Sequence, residues 1–74
     1  MLPQQPQYSL TFKDLDSGDD AYCSVREVPG AVGITLSLRQ SGDVDVFMNW
    51  QEAKQFAEFV TKVASLVERQ SGPE

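Results

Sequence analysis

The sequence predicts an α+β domain, a four-stranded antiparallel β-meander (ββββα) with one long C-terminal α-helix packed on one face. Apolar and polar residues alternate with a period of two from Gln7 to Met48, which is typical of half-buried strands. Turn-forming residues interrupt that alternation, and after Asn49 the period becomes 3.6. Consecutive strands joined by short turns pair in sequence order, and an amphipathic helix covers one face of the sheet.

The first two strands flank an acidic loop. In the first, Tyr8, Leu10 and Phe12 alternate with polar neighbours. Residues 14–20 then combine aspartates with Ser17 and Gly18, a composition that favours a turn. Alternation resumes from Ala21 to Val28, which predicts the second strand.

The third and fourth strands follow two further turn signals. Pro29-Gly30 suits a β-turn because proline presets φ and glycine supplies a positive φ. The residues from Ala31 to Gln40 make the clearest strand, and Ser41-Gly42-Asp43 turns the chain into the strand ending at Met48. We call one side of the sheet the apolar sheet face; it consists of Tyr8, Leu10, Phe12, Cys23, Val25, Val32, Ile34, Leu36, Leu38, Val44, Val46 and Met48.

The helix has a distinct start. Asn49 is a favourable N-cap and Glu52 follows at the spacing of a capping box. Its apolar residues, here called the helix stripe, are Ala53, Phe56, Ala57, Val60, Val63, Ala64 and Val67. Phe59 and Leu66 widen the stripe on one edge and Trp50 on the other, beyond the arc that one sheet requires. These edge residues either cover the sheet rim or contact a second subunit, and Trp50 is either a partner anchor or a staple to the sheet.

The chain length of 74 residues predicts one domain at residues 7–69, with flexible tails at residues 1–6 and 70–74. So short a chain builds a small core, and oligomerisation often supplies the missing stability. Because Cys23 is the only cysteine, an internal disulfide is excluded. A buried thiol and a disulfide-linked dimer are the two alternatives. We expect a homodimer, with Trp50, Phe59 and Leu66 at the oligomer interface.

Catalytic and metal chemistry find little support in the sequence. The chain has no histidine, so it lacks the commonest general base and cannot form a Cys/His zinc site. Counted from Asp14, the acidic loop has Asp19 and Val25 where an EF-hand needs glycine and glutamate. Asp43 and Asp45, two residues apart on a short strand, are expected to point to opposite sheet faces and therefore not to pair. We therefore predict a protein that is not an enzyme and binds neither a metal nor a cofactor.

The net charge of −5 disfavours long-range attraction to nucleic acid or anionic membranes. No signal peptide or membrane-spanning stretch is recognisable. The expected location is the cytoplasm.

The sheet face opposite the apolar one, the polar sheet face, is the candidate binding surface. Its predicted binding residues are Lys13, Tyr22, Arg26, Arg39 and Phe47. Cations interleaved with aromatic rings suit single-stranded nucleic acid, because cations track phosphates and rings stack on bases. The alternatives are a solvated surface or a contact with a protein partner.

Part of the chain resembles the positive-cofactor family of transcriptional coactivators. The similar segments are Ser24-Val25-Arg26-Glu27 and Ile34–Arg39, followed by a strand, a cap and a helix. The resemblance implies a dimer formed through the helix region and single-stranded DNA on the sheet, with Arg26 and Arg39 contacting phosphates. The family surface is lysine-rich, whereas this chain is acidic. The leading prediction is a homodimeric, non-catalytic interaction module of unknown partner, and the alternative is a coactivator-like DNA-binding protein.

Overall fold

A computed structural model describes residues 7–71. It contains β1 (Gln7–Lys13), β2 (Asp20–Val28), β3 (Ala31–Leu38), β4 (Gly42–Met48) and α1 (Trp50–Gln70). The strands form one antiparallel sheet in the order β1-β2-β3-β4, and α1 packs against it. The predicted ββββα architecture is therefore confirmed.

The two predicted tails fall largely outside the described residues. The N-terminal tail, residues 1–6, lies outside them entirely, as do residues 72–74 of the C-terminal one. Gln70 is the last residue of α1, and Ser71 caps it by donating from its backbone N–H to the Val67 carbonyl.

The strand register places the predicted residues on the predicted faces. Leu10, Cys23, Leu36 and Val44 lie side by side across the four strands. Because side chains alternate along a strand, this row and its neighbours two residues away form the apolar sheet face. Thr11, Tyr22, Ser37 and Asp43 form a row on the polar sheet face.

Glycines with positive φ shape the connections between strands. Gly30 has a φ of 77° in the two-residue turn between β2 and β3, and Gly42 has a φ of 93° where β4 begins. Only glycine adopts this region without steric cost. The two short turns keep β2, β3 and β4 in one continuous meander.

The helix begins immediately after β4. Asn49 alone separates the two elements, and its side chain accepts a hydrogen bond from the Glu52 backbone N–H at 2.8 Å. The Glu52 carboxylate accepts in return from the Asn49 N–H at 3.1 Å, which completes the predicted capping box. Among the described strands, α1 contacts β3 and β4.

The core of a single chain is small. The buried apolar residues are Ala21 and Ile34, and no described residue of α1 is buried. Many apolar side chains on the apolar sheet face and on α1 stay exposed. Among the described strands α1 contacts only β3 and β4, and it buries none of its described residues, so most of its length is not packed on the sheet. Within the described residues, no helix has the length and apolar character needed to span a bilayer.

Candidate functional site: the polar sheet face

The centre of the polar sheet face is a row formed by Arg26, Gly33 and Phe47 on three neighbouring strands. The Arg26 guanidinium carbon lies 5.5 Å from the centroid of the Phe47 ring. This distance is within the range of a cation–π interaction. Phe47 keeps 60% of its surface exposed. An aromatic ring and a cation are thus presented together at the surface.

Gly33 makes this arrangement possible. A Cβ atom at this position would lie 3.1 Å from Phe47 Cε1 and 3.2 Å from Arg26 Cζ. Both distances are shorter than ordinary van der Waals contact. The absence of a side chain on β3 therefore lets the guanidinium and the ring approach each other over the backbone.

Hydrogen bonds tie Arg26 to the neighbouring strands. Its Nη1 atom donates to Thr35 Oγ1 at 2.8 Å, and the Thr35 hydroxyl donates to Asp45 Oδ1 at 2.6 Å. Ser24, beside Thr35 in the register, is 4% exposed. Arg26 is therefore held in place by a chain of contacts that spans β2, β3 and β4.

Asp20 gathers the other two cations of this face. Lys13 Nζ donates to Asp20 Oδ1 at 2.6 Å, and Arg39 Nη1 donates to Asp20 Oδ2 at 3.2 Å. The Lys13 hydrogen bond and charge, together with Arg39, lower the pKa of Asp20. The same carboxylate raises the pKa of Lys13. The pair is exposed, so solvent screens its attraction.

One sequence-based expectation about this face is wrong. Asp43 and Asp45 were expected on opposite faces, but residues two apart in a strand share a face. Asp43 Oδ1 accepts from the Ser37 hydroxyl at 2.6 Å, while Asp45 accepts from Thr35. Both carboxylates therefore lie on the polar sheet face and bring negative charge to it.

The face as a whole carries balanced charge and a shallow groove. Lys13, Arg26 and Arg39 are offset by Asp20, Asp43 and Asp45. The groove has a volume of about 560 Å³, and its lining includes Lys13, Tyr22 and Arg39. Four of the predicted binding residues thus meet at two places, Lys13 with Arg39 around Asp20 and Arg26 with Phe47 over Gly33. Tyr22 lies between them.

The predicted interface residues on α1 lie apart from this face. Phe59 and Leu66 are 53% and 52% exposed and share one edge of the helix. Trp50 lies at the helix start and lines a depression with Glu27, Val28 and Val32, and Lys54 Nζ is 5.9 Å from its ring centroid.

The acidic loop is organised by its own hydrogen bonds. Asp14 Oδ2 accepts from the Ser17 hydroxyl at 2.6 Å and from the Ser17 backbone N–H at 3.0 Å. These bonds lower the pKa of Asp14. Among residues 7–71, no cluster of three or more potential ligands is placed to hold a metal ion.

Sequence reasoning missed two features of these surfaces. Gly33 looked like an ordinary strand residue, although a glycine inside a strand often marks close approach of another group. The apolar sheet face was expected to be covered by α1, yet Tyr8 is 75% and Leu36 53% exposed. Comparison with protein-family models, with curated proteins and with solved structures finds no match to this chain.

Proposed function

We propose that this chain is a non-catalytic interaction module that works as a homodimer and binds a protein partner through its polar sheet face. The observation that carries the proposal is the amount of apolar surface left open in one chain. Most side chains of the apolar sheet face and of the helix stripe are exposed, and Ala21 and Ile34 are the buried apolar residues of the described chain. Contiguous apolar surface of this extent marks an interaction site.

A second subunit accounts for the exposed apolar surface energetically. Burying apolar area contributes about 25 cal/mol per Å², and a domain of this size has little stability to spare without it. Because both exposed surfaces belong to the same chain, a symmetric pair of identical subunits satisfies both. The homodimer therefore supplies the core that one chain lacks.

The polar sheet face remains for the partner. It presents the Phe47 ring beside Arg26, with Tyr22 and the Lys13–Asp20–Arg39 cluster along the groove. Aromatic residues and arginine are enriched among residues that dominate binding energy at protein interfaces. The balance of positive and negative groups suits a partner of mixed charge.

The dimer is tested by light scattering on the double variant Phe59→Asp with Leu66→Asp. We expect wild type to have twice the chain mass and the variant to have a lower mass, because two buried carboxylates oppose association. The matched control is Gln51→Asp with Ser65→Asp, which adds the same charge on the polar side of α1, opposite the helix stripe, and should leave the mass unchanged. A monomeric wild-type protein would refute the proposal, and an unchanged mass for the first variant would remove this helix edge from the interface.

The second candidate function is binding of single-stranded DNA, favoured by the pairing of Arg26 with an exposed aromatic ring. Asp20, Asp43 and Asp45 on the same face oppose DNA binding, because their negative charges repel phosphates. The test is fluorescence anisotropy with a labelled oligonucleotide at low and raised salt. Binding that weakens steeply with salt and is lost in Arg26→Glu with Arg39→Glu would support this candidate, because counterion release makes nucleic-acid affinity salt-dependent. Absence of binding at low salt would eliminate it.

A further inference from the structure

Two apolar surfaces of the same chain are left largely uncovered within that chain. On the sheet, Leu10, Leu36 and Val44 form an exposed row, and on α1, Phe56, Val60, Val63 and Val67 are about half-exposed. Both surfaces consist of aliphatic and aromatic side chains, so each could bury the other. Within one chain they do not pack together over most of their area, and both stay in contact with solvent.

The connection between β4 and α1 explains this separation. Asn49 is the whole connection, and its extended conformation, with φ −73° and ψ 169°, is held by two capping hydrogen bonds. A helix that lies over a sheet is about 10 Å from it, which requires the chain to rise and reverse direction. One residue held in a capping box does not supply that path. The helix instead contacts β3 and β4 alone among the described strands, and none of its described residues is buried.

The exposed area matches the requirement of a dimer. A folded monomer of 8.2 kDa exposes about 4,500 Å² by the general scaling of surface with mass, whereas this chain exposes 6449 Å². The excess is about 1,900 Å² per chain, and about 900 Å² remains once the largest surface that residues 1–6 and 72–74 could contribute is subtracted. Two chains therefore have about 1,800 to 3,800 Å² to bury, the range of stable interfaces.

We propose that two copies of the chain exchange their C-terminal helices, so that the helix stripe of each lies across the apolar sheet face of the other. This inference rests on the proposed homodimer and specifies its arrangement. Helices paired with each other would leave both sheet faces uncovered, and stacked sheets would leave both helices uncovered. Exchange covers all four surfaces with one two-fold symmetric arrangement.

The dimensions fit this arrangement. At 1.5 Å per residue, the 21 residues of α1 span about 30 Å. Strands of seven to nine residues span about 23 to 30 Å at 3.3 Å per residue. One helix is therefore long enough to lie across the sheet face of a partner. The charged side of α1, with Lys54, Glu58 and Lys62, then faces solvent.

The single cysteine provides a direct test. Cys23 lies on the apolar sheet face between Leu10 and Leu36. Wild-type chain is mixed with a Cys23→Ser chain that carries one new cysteine on the helix stripe, at Ala57, Val60 or Ala64. The mixture is unfolded, refolded together and oxidised mildly, and the disulfide-linked products are identified by mass spectrometry. A disulfide requires Cα atoms about 4.4 to 6.8 Å apart, so it reports close contact.

Each product has its own meaning. Exchange predicts a covalent heterodimer as the dominant product for at least one stripe position, because its cysteines come from the sheet of one chain and the helix of the other. A Cys23→Ser/Ser65→Cys chain, with its cysteine on the opposite side of α1, should give none. Homodimers of the stripe variants would indicate paired helices, and wild-type homodimers would indicate stacked sheets. Either homodimer as the dominant product would overturn the proposal.

Failure of exchange can be told apart from failure of the homodimer. Light scattering on the same mixtures before oxidation shows whether the chains are dimeric. A dimer that yields no heterodimeric disulfide at any of the three stripe positions refutes exchange and leaves the homodimer standing. A monomeric mixture refutes both. A single chain with Cys23 and Val60→Cys that forms an intramolecular disulfide would show that α1 covers its own sheet, which also overturns exchange.

Discussion

At the scale of single residues, Gly33 has more influence on the polar sheet face than its lack of a side chain suggests. Phe47 and Arg26 both approach the position where its Cβ would lie. The cation–π contact and the hydrogen bond from Arg26 to Thr35 both depend on that approach. A strand glycine usually weakens a sheet, and here it permits a packed surface cluster.

We predict that Gly33→Val destabilises the protein by about 1 to 2 kcal/mol, because overpacking displaces the guanidinium and the ring. The same substitution should cost less, by about 0.5 kcal/mol or more, in a Phe47→Ala background that removes the clash. The measurement is a double-mutant cycle from denaturant unfolding at fixed protein concentration. An equal cost in both backgrounds would show that the approach of Phe47 to Gly33 does not contribute to the destabilisation.

Asp20 and Lys13 each favour the charged form of the other. Its pKa is lowered in the folded protein, so its contribution to stability is present above the ordinary value of 3.8 and is lost as pH falls through the folded pKa. Lys13 has a raised pKa, so its contribution is present below 10.5 and is lost as pH rises through the folded value. The affected windows are thus below about pH 4 and above about pH 10.5.

We expect Asp20→Asn to lower the urea midpoint of unfolding at about pH 6, where the carboxylate is charged in both states. At about pH 2.5, below the ordinary pKa of 3.8, the difference from wild type should shrink, because the contribution of a lowered pKa is lost as pH falls below that value. The control is Asp16→Asn, since the Asp16 side chain makes no hydrogen bond among the described residues. A difference that is the same at both pH values would contradict the assigned ion pairs.

At the scale of elements, the helix start is the most precisely built feature. Both hydrogen bonds of the capping box are present, and they satisfy backbone donors that would otherwise lack partners. The box also determines the direction in which α1 leaves β4. A local motif of two residues therefore influences which surfaces of the molecule remain open.

We predict that Asn49→Ala lowers the free energy of unfolding by about 1 kcal/mol, the usual cost of losing an N-cap side chain. Asn49→Ser should preserve most of the stability, because serine also accepts the hydrogen bond from the third helical residue. Chemical denaturation of the three proteins measures both effects. If alanine and serine lowered the free energy of unfolding equally, loss of the N-cap hydrogen bond would not be the cause.

At the scale of the whole molecule, a single chain leaves far more apolar side chains exposed than it buries. The four strands are paired along their full length, but the sheet has a covering layer over part of one face only. An antiparallel sheet tolerates one solvated face, and here the polar sheet face fills that role. The apolar sheet face requires a second layer, and a second copy of the chain can supply it.

The charge distribution of the whole molecule favours a protein partner over nucleic acid. The chain has a net charge of −5, Lys13 and Arg39 on the polar sheet face both pair with Asp20, and Arg26 is linked to Asp45 through the Thr35 hydroxyl. Residues 7–71 therefore present no concentrated positive surface of the kind that dominates nucleic-acid affinity. This balance is the reason for placing a protein partner ahead of single-stranded DNA.

Local signals in the sequence were sufficient for the elements and their order. Alternation in Val32–Leu38, the turn at Pro29-Gly30 and the capping box at Asn49 each depend on residues within one strand, turn or helix end. The division of side chains between the two sheet faces follows from the same period of two. For these reasons the ββββα fold and the composition of both faces were predictable.

Only the tertiary structure decided how those elements sit against each other. The approach of Arg26 and Phe47 over Gly33 depends on register across three strands, and the Asp20 cluster joins residues far apart in sequence. The position of α1 depends on the geometry of a one-residue connection, which periodicity does not encode. The sequence determined which surfaces are apolar, whereas the path of the chain decided that those surfaces are left open, because covering them requires a reversal that Asn49 alone does not provide.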